Sequence, residues 1–161
     1  MQNKKVLFVC LGNICRSSAA EAVLKKYLKD EGLHENIYVD SAGTAGYHIG
    51  EPSDPRMIKV AAKRGYNVDH IGRKFRAAKD FLKFDYIITL DNQNYADIKE
   101  LDHVNKFSHK IFKMSEFCKT TEVDEVPDPY YENEEGFENV LNILEDGCRG
   151  ILDKLKSNVD G

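Results

Sequence analysis

Residues 6–21 have the sequence VLFVCLGNICRSSAAE, an apolar run followed by a glycine-containing loop and a helix-like pattern. Four apolar residues in succession, 6–9, predict a strand buried on both faces, as in a parallel sheet. Ser18 followed three positions later by Glu21 matches a capping box and predicts the start of a helix, which Gly32 then ends. This stretch therefore predicts a β-strand, a loop and an α-helix in direct succession.

The same alternation of strand and helix patterns continues along the chain. It predicts right-handed crossovers and a mostly parallel sheet with helices on both faces, an α/β fold in three layers. No linker rich in Gly, Pro or Ser divides the chain, so we predict a single domain over residues 1–161. The further predicted elements are strands at 37–39, 86–88 and 110–114, a helix starting at Ser53–Pro55 with Met57, Ile58, Ala61 and Ala62 on its inner face, a helix capped by Asp91, and a long helix over 137–155.

The composition is that of an ordinary globular protein. The 161 residues include 23 Lys and Arg and 27 Asp and Glu, a net charge of −4, and 42% are hydrophobic. These values argue against disorder and fibrous repeats, and no apolar stretch approaches the roughly 20 residues of a membrane-spanning helix. Residues 1–5 precede only five apolar residues, too few for a signal peptide. Four cysteines without CxxC or zinc-ligand spacing indicate a reduced, cytoplasmic protein with no structural metal.

The loop after the first strand carries the residues needed to bind an oxyanion. We call residues 10–17 the phosphate loop. Gly12 and Asn13 tolerate positive φ, so the N–H groups of the loop can converge on one point. The following helix N-terminus adds partial positive charge there, and Arg16 offers a planar fork for two phosphate oxygens. The pattern predicts a cradle for a tetrahedral anion with the sulfur of Cys10 at its floor.

The same positive surroundings favour the thiolate form of Cys10, with Ser17 placed to donate a hydrogen bond to it. A thiolate below a bound phosphate is a nucleophile. A bare Cys-x5-Arg pattern is weak evidence, but the following Ser and the strand–loop–helix context make it more specific. The alternative, that Cys10 is only a small buried residue at a strand end, stays open at this point.

Three segments together resemble the low-molecular-weight protein tyrosine phosphatases: CLGNICRS at 10–17, Ser-Ala-Gly at 41–43 and Asp-Pro-Tyr-Tyr at 128–131. The resemblance spans nearly the whole chain. It implies a single α/β domain with a four-stranded parallel sheet, no metal or other cofactor, and cysteine-dependent hydrolysis of phosphotyrosine and small aryl phosphates. One departure is Ser18, where the family often has proline.

The resemblance also implies a role for individual residues. Cys10 would be the nucleophile, Arg16 the phosphate clamp, and Asp128 the general acid and then the general base. We call residues 126–131 the acid loop. The residues implied to support these three are Leu11, Gly12, Asn13, Ile14, Cys15 and Ser17 in the phosphate loop, Ser41 and His70 beside it, Tyr47, Tyr130 and Tyr131 around an aryl pocket, and Cys15 as a redox partner of Cys10.

The residues around Asp128 allow a second interpretation. Between positions 120 and 148 there are ten Asp or Glu and no Lys or Arg, which is also typical of a solvated acidic loop. Nothing local links Asp128 to Cys10, so only the resemblance favours a general acid. Likewise, Tyr47, Tyr130 and Tyr131 could be surface aromatic residues that pack for stability.

Other functions remain as alternatives. Arsenate reductases are similar in the first loop but use additional cysteines, and none lies between Cys15 and Cys118. Protein-arginine phosphatases tend to carry Thr where this loop has Ile14, and an apolar side chain suits an aryl ester better. A non-catalytic phosphotyrosine-binding or redox-sensing module also stays open. The expected partners are phosphotyrosine proteins or small aryl phosphates, with inhibition by phosphate-like oxyanions and no nucleic acid or membrane ligand.

Overall fold

The computed structural model describes residues 3–160, with side chains described up to residue 157. Met1, Gln2 and Gly161, the ends of the predicted domain, lie outside the described residues. Four parallel strands form one sheet in the order β2-β1-β3-β4. The elements are β1 (Lys4–Cys10), α1 (Arg16–Asp30), β2 (Ile37–Gly43), α2 (Pro55–Lys63), α3 (Ala77–Lys83), β3 (Tyr86–Thr89), α4 (Asn92–Leu101), β4 (Ile111–Lys113) and α5 (Glu134–Asp160), with short 3₁₀ turns at Ser108–Lys110 and Met114–Phe117.

The central strand β1 explains why helices cover both faces of the sheet. Val6 and Phe8 pack into a cluster with α1, α2 and α5, whereas Leu7 and Val9 pack into a second cluster with α3 and α4. Successive side chains of a strand point to opposite faces, so an unbroken apolar run needs cover on both sides. The predicted fold class, one α/β domain with a four-stranded parallel sheet, is confirmed.

The predicted cap at Asp91 and the predicted start of a helix at Ser53–Pro55 are confirmed, whereas the capping box predicted at Ser18 is wrong. Asp54 and Asp91 accept hydrogen bonds from the first turns of α2 and α4. Helix α1, by contrast, begins at Arg16 with no side-chain cap, and the Ser18 hydroxyl donates to the Cys15 carbonyl. Glu21 does not fold back onto Ser18 because its carboxylate is engaged elsewhere, on the side facing β2. The capping box predicted at this position is therefore absent.

Other differences concern element lengths. β2 continues to Gly43, so Ser41 lies inside the strand rather than after it. In α2 the buried face carries Val60 instead of the predicted Ala62, which is exposed. Helix α3 was not predicted, since its seven residues are half polar. The apolar stripe of α5 is buried as predicted, although the helix starts earlier, at Glu134.

In the part of the chain that the structure describes, no helix has both the length and the apolar character needed to cross a membrane.

Candidate active site

The phosphate loop turns at the carboxyl end of β1, between Cys10 and Arg16. Asn13 adopts the left-handed conformation, with φ of 59°, and its backbone N–H points at the Cys10 sulfur from 3.3 Å. Gly12, also expected to allow positive φ, does not use it; a Cβ there would lie 3.0 Å from the His48 ring. The backbone turn therefore depends on Asn13, a residue type that tolerates this conformation better than most.

The buried side chain of Asn13 connects the loop to two other segments, β2 and the loop over residues 70–73. Its Nδ2 donates to the hydroxyls of Ser17 and Ser41 at 2.9 and 3.0 Å. Its Oδ1 accepts from the Arg73 backbone N–H and faces His70 Nε2, both at 2.9 Å. Every donor and acceptor position of the amide is thus used, which holds the loop in one conformation.

These bonds determine how Ser17 meets the sulfur of Cys10. The two side chains lie 3.0 Å apart. Because Asn13 already donates to the Ser17 oxygen, the Ser17 proton is available for the sulfur. The Cys10 sulfur therefore faces one hydroxyl donor and one backbone donor.

A charged cluster lies behind Asn13. His70 Nδ1 is 3.1 Å from Glu21 and 3.4 Å from Asp40. Burial of Glu21 opposes its charge, but hydrogen bonds from His70, Lys25 and Ser41 hold the pKa of Glu21 below its ordinary value. These three acidic and histidine groups have a spacing suited to a metal ion, with ligand atoms within 4.8 Å of one another. Each of these groups already has partners within the protein, and His70 connects the cluster to the phosphate loop through Asn13.

The guanidinium of Arg16 is held by residues from two distant segments of the chain. Its Nη1 donates to Asp91 at 2.6 Å and to the Val126 carbonyl at 3.0 Å. Its Nη2 lies 3.7 Å from the carboxylate of Asp128. Burial opposes the charge of Arg16, but the negative charges of Cys10 and Asp91 raise its pKa further above the ordinary value. Arg16 is therefore a fixed cation with one edge turned toward Asp128.

One cavity of about 300 Å³ contains most of the predicted site residues. Cys10 and Arg16 lie in it together with Asp128, which is 118 positions further along the chain than Cys10. Four predicted site residues do not line the cavity: Asn13, Ser17, Ser41 and His70. Ser41 and His70 both contact the side chain of Asn13. The lining residues are Cys10, Leu11, Gly12, Ile14, Cys15, Arg16, Tyr47, His48, Asp128, Tyr130 and Tyr131.

The three tyrosines differ in how far they enclose this cavity. Tyr130 is 43% exposed and packs edge to face against Tyr131, with ring centroids 5.0 Å apart. Tyr131 is 95% exposed and Tyr47 76% exposed. Tyr130 therefore forms a wall, while Tyr47 and Tyr131 stand at the rim.

A larger hollow, about 560 Å³, lies at the opposite ends of the strands. It is lined by Lys4, Lys5, Lys25 and Lys29 with apolar side chains of β2, and it holds no thiol. Parallel α/β folds bind ligands beyond the carboxyl ends of their strands, where the smaller cavity lies.

Cys15, in the same loop as Cys10, has a different environment. Burial, and then the nearby charge of Cys10, raise the pKa of the Cys15 thiol far above its ordinary value. Cys15 thus stays protonated at neutral pH.

Several residues of the site were not predicted from the sequence. Glu21, Asp40 and Arg73 brace the phosphate loop, and Asp91 was predicted only as a helix cap. The position of Asp91 in the sequence could have identified it. Asp91 follows β3, the neighbour of β1, and the ends of neighbouring parallel strands meet at one edge of the sheet.

A strand–loop–helix unit that places a cysteine sulfur beside hydrogen-bond donors and a buried arginine is an arrangement suited to binding a phosphate group. The family model "Low molecular weight phosphotyrosine protein phosphatase" matches residues 5–160. The human low molecular weight phosphotyrosine protein phosphatase is 40% identical over 152 residues, 94% of this chain and 95% of the human protein. The chain belongs to this family, and the predicted resemblance is confirmed.

Solved structures agree with this assignment. A crystal structure of the protein tyrosine phosphatase from Entamoeba histolytica, with Hepes in its active site, has a TM-score of 0.93 and 49% identity, over 97% of this chain and 99% of that one. A crystal structure of the Drosophila arginine phosphatase has a TM-score of 0.87 and 32% identity, over 94% and 98% of the two chains.

Proposed function

We propose that this chain hydrolyses phosphotyrosine and small aryl phosphates through a covalent phosphocysteine at Cys10. The observation that carries the proposal is that the Cys10 thiol, the Arg16 guanidinium and the Asp128 carboxylate line one cavity. Family membership supports it further. We assign the phosphate loop to residues 10–17 and the acid loop to residues 126–131 of a single phosphatase domain.

In the first step the Cys10 thiolate attacks phosphorus, and the bond from phosphorus to the aryl oxygen breaks. The leaving phenoxide takes a proton from Asp128, and Arg16 pairs with the phosphoryl oxygens. In the second step a water molecule attacks the phosphocysteine and gives its proton to Asp128. Inorganic phosphate leaves, and both Cys10 and Asp128 return to their starting states. No metal or cofactor enters this scheme, because Arg16 and the loop N–H groups meet the phosphate charge.

The substrate class follows from the shape of the cavity. Tyr130 forms one wall, Tyr47 and Tyr131 stand at the rim, and Ile14 supplies an apolar surface. A phenyl ring fits between such walls and brings its phosphate to the Cys10 sulfur, whereas phosphoserine leaves the walls without contact. The partners we propose are therefore proteins that carry phosphotyrosine, or small aryl phosphates, and phosphate-like oxyanions as inhibitors. We propose neither nucleic acid nor a membrane as a partner.

The test compares initial rates on phosphotyrosine, phosphoserine and phosphoarginine peptides of one sequence, with a metal chelator present. Burying an aromatic side chain contributes roughly 1.5–3 kcal/mol, so we expect kcat/KM for phosphotyrosine to exceed that for phosphoserine by roughly 10- to 150-fold. Chelator should leave the rate unchanged. Phosphate release from none of the peptides would overturn the proposed enzyme and favour a binding module.

Phosphoarginine hydrolysis is the second candidate function. It is favoured by the similarity to the Drosophila arginine phosphatase. Against it stands the apolar side chain of Ile14, which offers a guanidinium no hydrogen-bond acceptor. The phosphoarginine peptide in the same assay separates the two: a higher kcat/KM on phosphoarginine than on phosphotyrosine would reverse the assignment.

A redox role for Cys15 forms part of the proposal. Peroxide oxidises the Cys10 thiolate to a sulfenic acid, and attack by the Cys15 sulfur then releases water and forms a disulfide. A thiol reductant reopens that disulfide. All four cysteines are free thiols, which suits the reducing cytoplasm, where we place the protein.

We expect mild peroxide to inactivate the wild-type protein reversibly and the Cys15→Ser variant irreversibly. Without Cys15, the sulfenic acid has no neighbouring thiol and proceeds to the sulfinic acid, which thiols do not reduce. The measurement is the activity recovered with dithiothreitol, together with the mass of the loop peptide. Equal recovery of activity in both proteins would show that Cys15 does not protect Cys10 from irreversible oxidation. Cys118→Ser is the control and should recover like the wild type.

A further inference from the structure

Arg56, in the first turn of α2, connects that helix to the acid loop. Its Nε and Nη2 donate to the two carboxylate oxygens of Asp54, at 3.0 and 2.7 Å. Its Nη1 donates to the carbonyl oxygen of Tyr130 at 2.9 Å. A two-point pairing of arginine with a carboxylate fixes the guanidinium plane, so the third bond points in a defined direction.

The carboxylate that carries this arginine is itself tied to the phosphate loop. Asp54 is buried and caps α2 by accepting from the Arg56 backbone N–H at 2.9 Å. The backbone N–H of Asp54 donates to the carbonyl of Ile14 at 2.7 Å. The hydrogen bonds from Arg56 hold the pKa of Asp54 below its ordinary value, so the pair stays charged at neutral pH. Arg56 is therefore paired with a residue that is itself hydrogen-bonded to the phosphate loop.

On its other side, Arg56 reaches the residue that orients Asp128. The backbone N–H of Tyr130 donates to Oδ1 of Asp128 at 3.0 Å, while the Tyr130 carbonyl accepts from Arg56. Arg56 also lies over the rings of Tyr130 and Phe137, at 5.3 and 4.8 Å from their centroids. Phe137 is fully buried at the start of α5. The guanidinium thus holds Tyr130, and through it the carboxyl group of Asp128.

We propose that Arg56 is a positioning residue for proton transfer by Asp128, acting as a strut between the phosphate loop and the acid loop. This inference rests on the proposed function. Arg56 does not line the cavity and reaches the acid loop through Tyr130. A general acid must lie within hydrogen-bond reach of the leaving oxygen, and a displacement of about 1 Å can cost on the order of 100-fold in rate. Loss of the strut should therefore impair the acid step selectively.

The test measures kcat/KM of Arg56→Gln on two substrates that differ in their need for a proton. Phenyl phosphate releases a basic phenoxide, whereas 2,4-dinitrophenyl phosphate releases a stable one. We expect about a 10-fold loss on phenyl phosphate and less than about 2-fold on the dinitrophenyl ester. Arg56→Lys keeps the charge but not the two-point pairing with Asp54. Its kcat/KM on phenyl phosphate should therefore lie between those of the wild type and Arg56→Gln.

Arg64→Gln is the matched control. Arg64 also joins the α2 region to α5, through Glu145 at 2.8 Å and Glu138 at 2.9 Å, but it contacts neither loop. Arg64→Gln should change kcat/KM by the same factor on both substrates. Thermal unfolding of each variant checks the fold, and Arg56→Lys provides the same substrate comparison if the glutamine variant does not fold.

A double-mutant cycle with Asp128→Asn completes the experiment. If Arg56 acts only through Asp128, adding Arg56→Gln to Asp128→Asn should cost less than about 2-fold on phenyl phosphate. Equal slowing of both substrates by Arg56→Gln, or a full 10-fold loss in the Asp128→Asn background, would overturn the inference. A different result would contradict the proposed function itself: the wild-type protein would then hydrolyse neither ester.

Discussion

Replacing Cys10 with serine is expected to lower the hydrolysis of aryl phosphates by at least about 10⁴-fold, since removing a catalytic nucleophile costs on the order of 10⁶ in other hydrolases. A serine hydroxyl is close to the thiol in size and can keep the contact with Ser17. It does not ionise near neutral pH, however, so no nucleophile remains. Initial rates on p-nitrophenyl phosphate and on a phosphotyrosine peptide measure the loss.

Binding of phosphate should survive the same change. Arg16 is held by Asp91 and Val126, and Asn13 by His70 and Ser41, none of which depends on the sulfur. Titration calorimetry with inorganic phosphate should therefore give an affinity for Cys10→Ser within about 10-fold of that of the wild type. Turnover retained in this variant would refute the nucleophile. Loss of both turnover and phosphate binding would instead show that the phosphate-binding groups depend on the Cys10 sulfur.

Cys118→Ser is the control for this experiment. Burial raises the pKa of Cys118 to about 11, so its thiol is protonated at neutral pH. It also lies outside the cavity, with its sulfur near the carbonyls of Met114 and Ile143. Wild-type rates in Cys118→Ser would show that the loss belongs to Cys10 and not to cysteine removal in general.

The parts of the site that were predicted from the residues alone are those contained in one short segment. A buried strand, a loop and a helix follow one another within residues 6–21, so their geometry depends on local preferences. The thiol at the strand end and the arginine at the helix start are placed by that local order. The pairing of Ser17 with the Cys10 sulfur, at 3.0 Å, follows from the same segment.

The rest of the site depends on contacts between distant parts of the chain. Asp128 was predicted through the family resemblance, because the crossover that brings it to Arg16 leaves no local signal. The brace behind Asn13 joins Glu21, Asp40 and His70, which belong to α1, β2 and a loop. Such partners are set by the packing of helices on the sheet, and a single sequence does not encode that packing in its spacing.

The false prediction of a capping box has the same origin. Ser18 and Glu21 satisfy the local pattern, but the Glu21 carboxylate has stronger partners in Ser41, Lys25 and His70. A buried carboxylate that accepts several hydrogen bonds, two of them from basic side chains, is stabilised more by them than by a single bond to a helix N-terminus. A charged residue among small and apolar neighbours, as Glu21 is between Ala20 and Ala22, was the sign that it faces a buried partner.

Asp128→Asn should slow the release of poor leaving groups by about 10²- to 10⁴-fold, the usual contribution of a general acid. The amide keeps the shape of the side chain and its oxygen can still accept from the Tyr130 N–H. The Asp128 side chain is about half exposed and lies 3.7 Å from the buried Arg16, which keeps its hydrogen bonds to Asp91 and Val126, so loss of this ion pair should change stability little. The expected defect is therefore chemical: the leaving phenoxide departs without a proton.

The leaving-group dependence of kcat/KM distinguishes this defect from a distorted site. In Asp128→Asn the rates should fall steeply as the leaving phenol becomes less acidic, while 2,4-dinitrophenyl phosphate should react within about 10-fold of the wild-type rate. Water attack on the phosphocysteine also loses its base, so the activated ester should give a burst of phenol and then a slow phase. Glu132→Gln, which removes a carboxylate from the same acidic segment outside the cavity, should behave as the wild type. Equal slowing across all leaving groups would mean that Asp128 contributes charge or shape, and the proton donor would have to be another group of the cavity.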